Sequence, residues 1–557
     1  MKNKNKSPIA PGWLILLGCS TFFAFPWSHV QAQSFDLENG VTIDWDASLA
    51  YGAAWRVQGQ NSRLLNGFTT ADSGFVPSTV NTAVGPLPVN GATNFAIGGK
   101  NKDDGNRNFN KGLISSRISF VTEADIKYSD MGLFVRARGW YDDVYNKSND
   151  HNLPSTVNTV GDRSNSFAKH TRKIHGRDAE FLDMFAYGNF TLGDTPVSVR
   201  LGRQTVSWGE SLFILTGISS AQGPLDITKA NVPGVQIKEI FLPVQQAFAQ
   251  IGLTENLSIE SYVQFEWEAH RLDESGAYFS TLDYLGDGGE CVYLGSLPCS
   301  AIQRGKDEKA SDSGQFGIAL RYMAESLNNT EFGLYYINYH DKLPQLVLDP
   351  LALGVPGYPE PANYRLRYKE NIELIGASFG TVIGNTNVSG EVSYRRNLPV
   401  LQQDAALVFG ALPVTIYTEA PVVQAQLSAV HIVGPTSFAD NVSVLGEVGI
   451  NKVNGLERNE LEKDKWGWGY TARVSLDYYN VIPGGNLSIP VTWSHNVKGQ
   501  SAAGQFNEGD NRLGVKAVLN YGDHMAFDVG YSRFMGDPAD SALTDRDFIA
   551  VSASYSF

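Results

Sequence analysis

From Ile43 to Val57 every second side chain is apolar: Ile43, Trp45, Ala47, Leu49, Tyr51, Ala53, Trp55 and Val57, with Asp44, Asp46, Ser48 and Arg56 among those between. Successive side chains of an extended strand point to opposite faces, so a two-residue period makes one apolar and one polar face. The pattern returns in residues 114–128, where Ile114, Ser116, Ile118, Phe120, Thr122, Ala124, Ile126 and Tyr128 oppose Arg117, Ser119, Glu123, Asp125 and Lys127. It recurs in 257–268, 468–478, 487–495 and 513–521, and last in Ile549, Val551, Ala553, Tyr555 and Phe557. About ten alternating residues is the span of a strand crossing a bilayer at a tilt.

No stretch after Trp27 approaches the ~20 consecutive apolar residues of a transmembrane helix. Lipid offers no partner to an unpaired backbone group, so the remaining way to cross is a closed barrel. Ahead of the first strand, Lys2, Lys4 and Lys6 precede an apolar segment from Ile9 to Trp27 and then Val30-Gln31-Ala32, the form of a signal peptide cut between Ala32 and Gln33. Leu16-Leu17-Gly18-Cys19 offers a lipoprotein signal as the alternative. Residues 1–32 are therefore read as an export signal and 33–557 as one barrel, since no linker or composition shift divides them. The formal charge of −14 excludes a nucleic-acid partner, which needs a basic face. Cys291 and Cys299, in a Gly-rich stretch, most simply form a loop disulfide in an oxidising compartment. They are not expected to hold a metal.

Strands are expected near 43–57, 113–128, 132–142, 181–192, 195–205, 244–253, 256–268, 314–324, 330–340, 371–382, 386–396, 420–432, 440–451, 466–480, 484–496, 510–521, 524–534 and 546–557. That makes an antiparallel transmembrane β-barrel of eighteen strands, or sixteen if the weaker alternation around 181–205 and 420–451 is discounted. Brief turn-rich gaps such as Gly193-Asp194, Gly384-Asn385 and Gly522-Asp523 alternate with long ones at 58–112, 143–180, 206–243, 269–313 and 341–370. Short periplasmic turns and long extracellular loops are the habit of outer-membrane barrels. A terminal Phe557 with Tyr555 and further apolar residues at alternate positions resembles the signal by which such barrels reach their assembly machinery.

A barrel this wide cannot be filled by its own side chains, so function turns on what narrows it. Inward positions are expected for Arg136, Arg138, Arg200, Glu260, Glu266 and Glu268, then Glu391 with Arg395, Glu447, and Arg473 with Asp477. Opposed charges can set a transverse field that selects solutes. The plainer reading is that they pair only to satisfy one another. The most distinctive run is Leu201-Gly202-Arg203-Gln204-Thr205-Val206-Ser207-Trp208-Gly209-Glu210-Ser211-Leu212-Phe213-Ile214, leading into an apolar loop through Pro224, Val232-Pro233-Gly234 and Phe241-Leu242-Pro243. A loop that apolar should fold into the lumen, cap it or meet another protein, and Arg203, Trp208 and Glu210 are its candidate constriction residues. The plainer alternative is a packed outer loop with no solute contact.

The run from Leu201 to Leu242, with Gly252-Leu253-Thr254-Glu255-Asn256-Leu257-Ser258, Gln264-Phe265-Glu266-Trp267-Glu268, Gly314-Gln315-Phe316-Gly317 and Asn329-Thr330-Glu331-Phe332-Gly333, resembles the proteobacterial domain of unknown function 1302 family. The resemblance implies an outer-membrane barrel, often encoded beside a periplasmic lipid-carrier-like protein and an inner-membrane exporter of the resistance-nodulation-division type. It thus implies traffic in hydrophobic or amphipathic molecules, with no cofactor and no agreed catalytic residues. The segment from 61 to 110, rich in Asn, Thr and Gly, is longer than in many relatives and its role stays open. Enzymatic motifs fail on inspection. Gly209-Glu210-Ser211-Leu212-Phe213 lacks the closing Gly of a nucleophile elbow, and His170, His175, His340 and His431 match no metal or triad spacing. The expected function is an outer-membrane channel for small hydrophobic or amphipathic molecules, with a non-conducting docking component of a lipid-trafficking envelope assembly as the alternative.

Overall fold

The computed structural model describes residues 33–65, 77–82, 85–90, 101–157, 164–292, 299, 302–348, 362–402, 414–415 and 417–557. The expected export signal and Ala32 lie outside the described residues. Eighteen antiparallel strands form the wall: β1 (Val41–Arg56), β2 (Gly112–Tyr128), β3 (Met131–Asp142), β4 (Arg177–Leu192), β5 (Thr195–Gln204), β6 (Val244–Thr254), β7 (Leu257–Gln264), β8 (Phe316–Ala324), β9 (Thr330–Tyr339), β10 (Ile372–Ile383), β11 (Thr386–Leu401), β12 (Tyr417–Gly434), β13 (Asn441–Val453), β14 (Trp466–Ile482), β15 (Gly485–Lys498), β16 (Asn511–Tyr521), β17 (Met525–Met535) and β18 (Phe548–Ser556). Each pairs with its chain neighbour, and β18 pairs back with β1, Ser556 opposite Ser48 and Phe548 opposite Arg56. The ring is closed, with no free sheet edge in the hydrocarbon.

The eighteen-strand count holds, and bulges explain where alternation is blurred. The register slips between Val135 and Ala137 where β3 meets β4, between Arg395 and Leu398 beside β12, and between Ile432 and Gly434 where β12 meets β13. An extra residue in one strand breaks the two-residue period without ending the ladder. β7 ends at Gln264, short of the expected 268, so Glu266 and Glu268 lie beyond it.

Short turns, most of them of two residues, join the strands at one end. Gly193 (φ +64°) and Gly384 (φ +59°) each open such a turn in a left-handed conformation, which glycine adopts without a Cβ penalty. Outward residues such as Leu49, Phe120, Leu201, Leu334 and Val529 are exposed, as a lipid-facing surface requires. Exposed Tyr128, Phe190, Tyr322, Tyr521 and Tyr555 gather near the short-turn ends of their strands, and Trp55, Tyr141 and Trp466 near the opposite ends. Two aromatic belts flanking an apolar band mark a bilayer-spanning barrel. No helix of the described residues is long and apolar enough to cross a membrane.

Gln33 opens a short strand, Gln33–Asp36, paired with β1 from Thr42 to Trp45, directly below the Ser48–Arg56 stretch that β18 occupies. Phe557 closes the seam with its N–H donating to the Ala47 carbonyl (2.8 Å), and the Tyr555 and Phe557 rings meet edge to face at 4.9 Å. At the far end, Arg56 is buried and clasped by Asp545 (3.1 Å) and Asn106 (2.8 Å), which brings the described end of the first long loop over the mouth.

The inner loop as candidate functional site

After Gln204 the chain leaves β5 and turns into the barrel instead of away from it. Trp208 is 2 % exposed, its indole N–H donating to Glu260 on β7 (2.7 Å) and its ring 5.0 Å from that of Tyr262. Glu260 also pairs with Arg321 of β8 (2.9 Å). A buried indole needs such an acceptor, because an unpartnered N–H away from water costs about 1–3 kcal/mol. Gly209 then takes φ +97°, and a Cβ there would collide with the Glu391 carboxylate, so the reversal needs glycine.

The loop next reaches the wall built by β11–β13. Glu391 receives the N–H groups of Glu210 and Ile218, both at 2.7 Å. Glu447 receives those of Leu212 (3.1 Å), Phe213 (2.5 Å) and Ile214 (2.7 Å). Arg395 returns the favour by donating to the carbonyls of Thr216 (2.7 Å) and Gly217 (2.8 Å). Loop backbone that would otherwise be unpaired in the lumen is thereby satisfied by wall side chains.

The chain then crosses back. Gln236 donates to Ser48 of β1 (2.9 Å), and Lys238 pairs with Glu123 of β2 (3.0 Å). Asp226 lies between Arg138 of β3 (2.5 Å) and Arg271 (3.0 Å). Against the opposing effect of burial, nearby Lys229 first, then Arg138 and Arg271, hold the Asp226 carboxyl well below its usual range. The loop thus touches three sides of the wall.

Glycines in strand interiors receive its apolar anchors. A Cβ on Gly317 of β8 would stand 2.8 Å from the Trp208 ring, on Gly376 of β10 2.8 Å from Ile218, and on Gly52 of β1 2.7 Å from the Pro233 carbonyl. Gly449 of β13 lies against Ile214 in the same way. Burying each isoleucine contributes on the order of 2 kcal/mol, available only where the wall leaves room.

Arg136 points inward and pairs with Glu123 and Asp183, each at 2.8 Å, while Arg200 lies over the Phe248 ring at 4.3 Å. Arg203 does not face the lumen. It shares the parity of outward-facing Leu201 and pairs with Glu266 (3.3 Å) and Glu268 (2.9 Å) at the rim where β5 and β7 end. Glu266 and Glu268 leave the set of lumen candidates because β7 stops at Gln264, and Arg203 because it lies on the outward face of β5. Arg473 stacks on Phe213 of the loop at 5.4 Å, and Asp477 accepts from Ser488 (2.7 Å).

The Glu210 side chain hangs below the loop into a cavity of about 590 Å³ that also touches Glu331 and Asn387 near the short-turn ends. Burial, with Glu331 and Glu391 nearby, pushes the Glu210 carboxyl up to about 7 against the pull of Arg321. Ser211 donates to the Ile214 carbonyl and lies 3.4 Å from Glu447. Among the described residues no group of His, Cys, Asp or Glu is placed to hold a metal ion.

A second layer, which sequence reasoning did not resolve, lies above. Residues 265–292 and 302–315 fold over the inner loop, and Trp267, Leu272, Leu282 and Tyr284 share one apolar core with its Leu225, Ile227 and Ile240. A four-stranded sheet of Ile302–Arg304, Ala362–Arg367, Gln345–Leu348 and Val414–Thr415 stiffens this layer, and Cys291 is disulfide-bonded to Cys299. Its strands are too short to carry a readable period.

A family of proteins of unknown function (DUF1302) matches residues 13–557, nearly the whole chain. The chain belongs to that family. Among solved structures, OccAB1 of Acinetobacter baumannii is similar at 10% identity and a TM-score of 0.42, over 95% of this chain and 98% of that one. OccAB4 of the same organism shows 11% identity and a TM-score of 0.40, over 92% and 97%. OpdK of Pseudomonas aeruginosa with vanillate shows 9% identity and a TM-score of 0.35, over 92% and 98%. No residue of this DUF1302 protein is assigned from them. No curated protein sequence matches the chain significantly.

Proposed function

We propose that this DUF1302 protein is an outer-membrane channel for small hydrophobic or amphipathic molecules, with loop 206–243 as its constriction or lid. The observation that supports this is the seating of one apolar loop on three sides of an eighteen-stranded wall, at Glu260, at Glu391 with Glu447, and at Ser48 with Glu123. A loop held by its own backbone narrows a lumen without filling it with wall side chains. The purified barrel is expected to give discrete conductance steps in planar bilayers, and a deletion strain to grow poorly on fatty, steroid-like or aromatic carbon sources. No conductance together with unchanged growth would sink the reading.

A second reading is favoured by the layer above the constriction, which packs Trp267 and Tyr284 onto the inner loop. The closed barrel would then anchor a periplasmic lipid-carrier-like protein and an inner-membrane exporter without conducting. Co-purification of such partners from solubilised membranes, with no conductance, is the result that separates the two.

A further inference from the structure

Between the inner loop and the outer layer lies a cavity of about 60 Å³, lined on one side by apolar Leu215, Leu225, Leu343, Leu398 and Val422. Two buried cations complete the lining: Lys342, 3 % exposed, and Arg395, also 3 % exposed. Their donors meet neutral acceptors only. Lys342 donates to the Ala221 carbonyl at 3.1 Å, and Arg395 to the Thr216 and Gly217 carbonyls and to Ser393. Among the described residues neither has an ion-pair partner, whereas Arg138, Arg271 and Arg321 in the same lumen each have two. A buried cation without an anion is costly, and the cost is recovered when an anion arrives.

The other titratable groups lining the space leave room for that anion. Asp341 is the acid among the lining residues, and burial lifts its carboxyl to about 6, so at neutral pH it balances one of the two cations. His270 accepts the Leu225 N–H at 2.9 Å and stays neutral, its imidazole pushed down to about 3 by burial. Glu391, four residues before Arg395 on the same strand, offsets part of that cation's charge, but it lies outside the lining and its oxygens are turned to the Glu210 and Ile218 N–H groups, so it does not occupy the space. The volume holds a few heavy atoms and no more.

Resting on the channel reading, we infer that this cavity is a subsite for the carboxylate head group of a small amphipathic acid, Lys342 and Arg395 taking the charge and the leucine side taking the first carbons. An uncharged or cationic head group of the same size gains nothing from the two cations and loses its hydration.

Sodium butanoate, butanamide and butylammonium chloride are titrated into the full detergent-solubilised barrel and followed by calorimetry. Butanoate is expected to bind and the other two not to. Lys342→Met and Arg395→Met, checked for folding by heat-modifiable gel migration, are each expected to weaken butanoate about tenfold or more. Equal binding of the amide or amine, no binding of any of the three, or butanoate binding unchanged in both variants overturns the inference. The ligand series is run on the unaltered protein and decides the matter even where a variant does not fold. Conductance measured on the same preparation separates the two claims: a conducting barrel that ignores butanoate loses the subsite and keeps the channel.

Discussion

Trp208 of the inner loop and Gly317 of β8 are packed so closely that a Cβ on Gly317 would stand 2.8 Å from the indole. The same Cβ would stand nearer still to the Tyr262 ring, so Gly317→Val displaces the packed Tyr262–Trp208 pair or forces the wall to bend. Overpacking of this kind costs about 1–3 kcal/mol. The variant is expected to lose its heat-resistant gel form at lower temperature and to shift its tryptophan emission to the red. Unchanged emission and melting would show that the loop is not seated on that glycine.

Glu447 holds three consecutive loop N–H groups, those of Leu212, Phe213 and Ile214. Glu447→Ala leaves them unpartnered in the lumen at about 1–3 kcal/mol for each that finds no water. Amides 212–214 are expected to exchange with deuterium at least tenfold faster while strand amides keep their protection. Glu447→Gln, which keeps an acceptor oxygen, should fall between. Equal protection in all three proteins would mean that the loop is held elsewhere.

Glu210 gives the constriction a pH dependence. Its carboxyl is raised to about 7 in the folded barrel, chiefly by burial, against 4.5 as the ordinary value. Below the ordinary value the group is protonated folded or unfolded and has no effect. Stability then falls as pH rises through the window up to about 7, because the folded protein resists the charge. Asp273 and Glu274, raised to about 8 and about 7 by burial, tilt the parent in the same direction. The diagnostic is thus the difference between parent and Glu210→Gln in melting temperature across pH 4 to 8, which should widen with pH in favour of the variant. A constant difference would refute it.

The Cys291–Cys299 bridge spans eight positions within the outer layer. On the chain-entropy account a loop of that size contributes about 2.5 kcal/mol, here to local closure more than to the barrel. Under dithiothreitol, limited proteolysis is expected to nick residues 269–313 faster while the barrel core still migrates as folded. Cleavage at the same rate with and without reductant would count against it.

The wall was legible because most of its strands repeat one period for eight residues or more, with side chains such as Leu334 and Val529 turned outward. Bulges hid their own positions, since the step between Val135 and Ala137 shifts register without changing residue type. Glu266 and Glu268 were misplaced because β7 was continued to 268, and Arg203 because it was read with the loop that follows it although it ends the outward face of β5. The anchors Trp208, Glu391 and Glu447 could be named one by one, but their meeting depends on contacts 52 to 235 positions apart that no local pattern encodes. A signal was available in Gly52, Gly317, Gly376 and Gly449, since glycine inside a strand often marks close approach of another backbone.

The short strand Gln33–Asp36 shares one edge of β1 with β18 end to end, so that edge, opposite the one β2 covers, stays incomplete until the last strand arrives. A chain that stops short of Phe548 keeps a row of unmatched N–H and C=O groups along β1, an invitation to a second copy or to degradation. Closure therefore makes the barrel all-or-none at this seam: without β18 the chain has no strand of its own to cover that edge of β1.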